Sequence, residues 1–127
     1  MIKITRDRLL ASQPGIKLLS NMKAPIAISF RVNKLIKEIG VALKETEEIR
    51  QQILEKYGTK DESGKLVVNA EGYVEISDAN REAFNNEFAI LLQEECELSS
   101  DPIPVSLLPD LQLTPTELSL IAPFLSF

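Results

Sequence analysis

The chain has 127 residues, 44% hydrophobic and 26% charged, with a net charge of −5 and an isoelectric point near 4.8. Those values fit one modest globular domain, and the acidic balance disfavours indiscriminate binding to nucleic acid. There is no histidine and only one cysteine, Cys96, so an intrachain disulfide and a Ser-His or Cys-His nucleophile pair are excluded, and a structural zinc site within one chain is not expected.

MIKIT alternates Ile2 and Ile4 with Met1, Lys3 and Thr5, which predicts a short half-buried strand. Residues 6–23 predict one or two short helices broken at Pro14-Gly15, because proline cannot donate a helical N–H. The strongest element starts at Pro25. Ile28, Val32, Leu35, Ile39, Ala42, Thr46, Ile49 and Ile53 recur at spacings of four and three, and Ile36, Leu43, Leu54 and Tyr57 broaden the stripe. Gly58 predicts the stop. Such a helix is about 50 Å long at 1.5 Å per residue, longer than the roughly 30 Å breadth of a compact domain of this size. The expectation is that its Leu35/Ile39 half packs against a later helix bearing Phe84 and Phe88. Its Ile49/Ile53 end is expected to be less completely covered.

TKDESG reads as a polar loop. KLVVN and YVEIS then predict a β-hairpin across Asn69-Ala70-Glu71-Gly72. A lone hairpin is marginal in water, so it calls for a third strand, from MIKIT or the IPVSL stretch, for a helix beneath it, or for a partner molecule on its edges. The second helix starts with Ser77 or Asp78 as cap, buries Phe84, Phe88, Leu91 and Leu92, and is read as helical through Glu94 and Glu95. Residues 99–113, with Pro102, Pro104 and Pro109, predict an extended segment. Thr114, Pro115 and Glu117 form a capping-box pattern that opens a C-terminal helix over 115–125. No internal repeat and no low-complexity segment is read. The fold class expected is mainly α with a small β-hairpin (α+β), as a single domain over 1–127: a long amphipathic helix packed with a second helix, and short helices at both termini.

Charge is distributed unevenly. Residues 1–37 hold eight basic side chains against Asp7 alone, and residues 38–127 hold six basic against eighteen acidic. Internal matching of the two segments is the favoured reading. The alternative is a basic face made by Arg31, Lys34 and Lys37, three apart near one side of the long helix. The basic residues do not interleave with aromatics, so the stacking signature of single-strand binders is missing. Cys96, among Glu94, Glu95 and Glu97, is a poor nucleophile because nearby negative charge disfavours its thiolate. KDESGK lacks the ligand spacing of an EF-hand. No apolar run approaches the ~18 residues of a membrane span, and MIKITRDRLL has no signal-peptide core.

The order of LEKYG, TKDESGKLVV, a hairpin, the FNNEFAILLQEE helix and the LTPTELSLIAPFL ending resembles a family of small phage and prophage proteins over roughly residues 20–125. That resemblance implies a viral context, manufacture in a host cytoplasm and a protein–protein role, and it transfers no catalytic residue. The reading from the sequence is therefore a non-enzymatic interaction or assembly protein, a virion- or tail-associated component or an assembly factor. It is expected to need no cofactor, metal or small-molecule substrate, and to bind a protein partner or further copies of itself rather than a membrane or nucleic acid. The candidate contact surface joins the helix end to the hairpin: Ile49, Ile53, Tyr57, Leu66, Val68, Tyr73 and Ile76. The runner-up is a regulator that binds a host enzyme or a nucleic-acid complex.

Overall fold

A computed structural model describes residues 1–108 and 112–127. The chain is mainly helical with a small β part, and it divides into two compact units, Met1–Lys44 with Glu95–Phe127, and Glu45–Glu94.

In the first unit, β1 (Ile2–Thr5) leads directly into α1 (Arg6–Ala11), with Thr5 Oγ1 accepting from the Arg8 N–H as N-cap. The break before α2 (Gln13–Ser20) falls at Ser12, not at Pro14-Gly15. Pro14 sits in the first turn of α2, where its missing N–H has no helical acceptor to lose. The buried Ser12 hydroxyl donates to the Leu9 carbonyl at 2.6 Å. Gly15 is buried where a Cβ would lie 2.6 Å from Ile121 Cγ2 and 3.0 Å from Leu120 Cβ, so glycine here allows a close helix approach.

The long helix α3 (Ile26–Tyr57) is unbroken over 32 residues, Gly40 included. The Pro25 carbonyl accepts from the N–H groups of Ile28 and Ser29, both at 3.0 Å. Residues up to Lys44 belong to the first unit, and there Val32, Leu35, Ile39 and Ala42 are buried in one core with Ile2, Ile4, Leu9, Leu19, Leu98, Ile121 and Phe124. Leu35 and Ile39 are thus core residues covered from both ends of the chain, which corrects the expectation that the Phe84/Phe88 helix would cover them.

The rest of α3 lies in the second unit with α4 (Asp78–Gln93). Lys56 Nζ meets Glu87 Oε1 at 2.7 Å between the two helices, and Ile53, Leu54 and Leu91 are buried. On α4, Ser77 holds the N-cap position without a side-chain hydrogen bond, and the Phe84 and Phe88 rings stack with centroids 5.8 Å apart but are only half-buried.

α4 ends at Gln93, and ECEL forms β2 (Glu95–Leu98), antiparallel to β1. Ile2 faces Leu98 and Ile4 faces Cys96 on the buried side, while Lys3 faces Glu97 on the exposed side. MIKIT is therefore a partner for ECEL and not a third strand for the hairpin. The IPVSL stretch gives β3 (Ile103–Pro104), parallel to a short C-terminal strand with Ile103 opposite Leu125, and then a 3-10 turn over Val105–Leu107. The expected extended segment over 99–113 is described only in part, since residues 109–111 lie outside the described residues. α5 (Pro115–Ile121) has the full capping box, with the Glu117 N–H donating to Thr114 Oγ1 and the Thr114 N–H to Glu117 Oε1, both at 3.1 Å. It stops short of the expected 125: a 3-10 turn over Ala122–Phe124 and β4 (Leu125–Ser126) follow.

Candidate interaction surfaces

The segment between α3 and α4 is more ordered than a hairpin following a polar loop. Gly58 closes α3, its N–H donating to the Leu54 carbonyl at 2.7 Å. Its φ is not positive, so the stop is not the left-handed cap that a helix-terminal glycine suggests. What requires glycine is space, because a Cβ at 58 would lie 2.6 Å from Leu66 Cδ2 and 2.9 Å from Val74 Cγ1. Three extended stretches then close on one another. The Thr59 N–H donates to the Glu75 carbonyl (2.8 Å), the Glu75 N–H to the Val67 carbonyl (2.9 Å), and the Val67 N–H to the Thr59 carbonyl (2.8 Å).

Two turns of one design link these stretches. In the first, Asp61 Oδ1 accepts from the N–H groups of Ser63 (2.9 Å) and Lys65 (3.1 Å), the Asp61 N–H reaches the Lys65 carbonyl (2.9 Å), and Gly64 has φ +83°. In the second, Asn69 Oδ1 accepts from Glu71 (3.0 Å) and Tyr73 (3.0 Å), the Asn69 N–H reaches the Tyr73 carbonyl (2.8 Å), and Gly72 has φ +87°. Asp61, Gly64 and Leu66 thus correspond to Asn69, Gly72 and Val74, an eight-residue repeat that the sequence reading missed. The carboxylate-for-amide exchange and the dissimilar intervening side chains conceal it, although Asx and glycine three apart is itself the signal. The Ser63 hydroxyl and the Lys65 and Ser63 amides together hold the Asp61 carboxyl below its ordinary range. Asn80 Nδ2 reaches the Tyr57 carbonyl at 3.4 Å and so tethers α4 to the end of α3.

On this scaffold the seven candidate contact residues separate. Ile53 is only 9% exposed and is a core residue of the second unit, because its α3 face turns inward with Leu54. Ile49, Tyr57, Leu66 and Ile76 are half-buried. Val68, 55% exposed, and Tyr73, 68% exposed, remain open to solvent. Sequence periodicity could not make this division, since it gives the face of a helix but not how far a hairpin covers it.

The three basic candidates are all exposed. Arg31 and Lys34 line a groove of about 190 Å³ with Ser99, Ser100 and Asp101. The chain's amino terminus lies 2.6 Å from Asp101, and this bond, with the fields of Arg31 and Lys34, holds Asp101 below its ordinary value. Nearby, Glu38 is pushed up by burial but pulled down further by the Ser99 hydroxyl and the Ser100 N–H (3.0 Å), so it too titrates below the usual carboxylate range. The basic N-terminal segment and the acidic segment after residue 94 are thus partly matched within the first unit. Lys37 does not line this groove.

A second exposed surface escaped the sequence reading. Ile26, Phe30 and Val41 are 77%, 69% and 68% exposed, on the side of α3 opposite its buried seam. They occur at helical spacing, but the stronger inward seam dominated the pattern. A groove of about 180 Å³, lined by Leu19, Met22, Val32 and Ile36 together with Ser20, Ser29 and Asn33, lies in the same unit.

No family model matches the chain, and neither a curated protein nor a solved structure does. No described helix is long and apolar enough to cross a membrane.

Proposed function

We propose that this chain is a non-enzymatic protein–protein interaction or assembly protein of phage type, either a component of a particle or tail or a factor that helps build one. The observation that carries this reading is the hydrogen-bonded turn repeat between α3 and α4. It fixes its backbone by three mutually closing bonds and two Asx turns, yet holds Tyr73 and Val68 out in solvent. A tyrosine on a preorganised support loses little entropy on binding and offers a large contact area, as residues that dominate interfaces do. The phage context rests on the EKYG turn, the FNNEF helix and the LTPTEL ending. The runner-up is a regulator that binds a host enzyme or a nucleic-acid complex through the acidic surface or the basic N-terminal face, and its basic-face form has less support because Arg31 and Lys34 stand beside Asp101.

The test is whether the protein copurifies with mature particles produced by the cell that encodes it, in wild-type form and as Tyr73→Lys. Retention of the wild type and loss of the variant are expected. Absence of both from particles and from every assembly intermediate would overturn the proposal.

A further inference from the structure

The two exposed apolar surfaces carry opposite charge. Around the turn repeat, residues 58–78 contain Asp61, Glu62, Glu71, Glu75 and Asp78 against Lys60 and Lys65, a local net of −3, and the whole second unit has twelve acidic and five basic side chains, a net of −7. On α3, Ile26, Phe30, Lys37, Gly40, Val41 and Lys44 are all exposed. At 3.6 residues per turn they fall within about 100° of arc. This stripe contains two lysines and no carboxylate.

Gly40 gives an independent indication. A glycine in a helix interior is unfavourable by roughly 1 kcal/mol relative to alanine. Close packing explains Gly15 and Gly58, but a Cβ at Gly40 would meet nothing within 4 Å. Among the described residues, then, nothing requires a glycine there. Its bare backbone leaves a flat place in the middle of the apolar, basic stripe, where another molecule's backbone can come close.

Resting on the interaction reading above, we infer that the occupant of the α3 stripe is a second copy of this chain, docked through the acidic turn repeat that presents Tyr73. Tyr73 supplies the apolar contact to the Phe30–Val41 stripe, and Glu75, on the same side of the hairpin as Tyr73, and Glu71 in the turn oppose Lys37 and Lys44. The two faces differ, so the contact is heterologous. Each copy keeps one free face of each kind, and association continues into a ring or a filament instead of stopping at a symmetric dimer. Opposite charge also speeds encounter and makes the association sensitive to salt.

The experiment uses full-length protein in sedimentation velocity. Wild type is expected to grow in mass with concentration and to return toward the 14.2 kDa chain as salt is raised. Tyr73→Lys removes one face and Phe30→Glu with Lys37→Glu the other, both at exposed positions, and each variant alone is expected to associate at least about tenfold more weakly. Mixed in equal amounts, each variant still offers the face the other needs, so a one-to-one complex of twice the chain mass should form and go no further. Gly40→Ala, which favours the helix, is expected to weaken wild-type association without loss of fold. Wild type that stays monomeric into the millimolar range, or blocked variants that do not combine, would overturn the docking mode. In that case the interaction reading would still be judged by the particle copurification, which depends on no second copy.

Discussion

Gly15 and Gly40 both lie inside helices, and replacing each with alanine should move stability in opposite directions. At Gly40 the added methyl meets nothing within 4 Å among the described residues, so only helix propensity changes. Gly40→Ala should therefore stabilise by about 1 kcal/mol. At Gly15 the same propensity gain is opposed by geometry. The new Cβ would lie 2.6 Å from Ile121 Cγ2 and 3.0 Å from Leu120 Cβ, against the ~3.5–4.0 Å of ordinary carbon contact. Ile121 is fully buried, so relief requires α2 and α5 to move apart. Overpacking of this kind costs about 1–3 kcal/mol, which leaves Gly15→Ala roughly 0–2 kcal/mol less stable than wild type and about 1–3 kcal/mol below Gly40→Ala. Urea unfolding followed by circular dichroism measures both. Stabilisation of Gly15→Ala equal to that of Gly40→Ala would refute the close α2–α5 contact.

Ile39→Ala and Ile53→Ala should each cost about 2–5 kcal/mol in the same assay, because both positions are buried in their own units; a negligible effect at Ile53 would return it to the contact surface. Gly64→Ala should cost about 1–2 kcal/mol through its left-handed backbone alone, and Gly64→Asn should recover much of that loss, as seen by thermal unfolding. Glu38→Gln should destabilise at neutral pH by about 1–3 kcal/mol, since the Ser99 and Ser100 donors lose a charged acceptor. The folded-state pKa of Glu38 is depressed, so its contribution is present above the ordinary carboxylate value and is lost as pH falls through the lower folded value. The gap between variant and wild type should therefore close in acid, and a gap that widens there would contradict the assignment.

Local chemistry made much of the fold legible. Pro25 and Gly58 bracket α3 to within a residue, Thr114, Pro115 and Glu117 specify the start of α5, and the alternation of MIKIT is a true strand. ECEL was not legible as a strand, because α4 runs into it without a breaker. Only pairing with β1 decides between the two, placing Cys96 and Leu98 inward and Glu95 and Glu97 outward. The same limit applies to the surface. Tyr73 could be read as a hairpin residue, but its exposure follows from how Asn69 and Gly72 turn the chain, and the Ile26–Phe30–Val41 stripe was overshadowed by the seam behind it. The burial of Ile53 depends on cover that a helical period does not report.

If the protein acts by presenting Tyr73 to the α3 stripe of a second copy, that contact forms in the cell and can be trapped there. The most direct measurement places a photo-crosslinking amino acid at position 73 of the full chain, expressed in the cell that encodes it, with position 86, exposed on α4, as a control. A discrete adduct of twice the 14.2 kDa chain mass is expected from position 73, with the crosslink mapping to the α3 peptide that contains Phe30 and Val41, and little or none from position 86. Equal diffuse labelling from both positions, or no protein adduct from position 73, would contradict it.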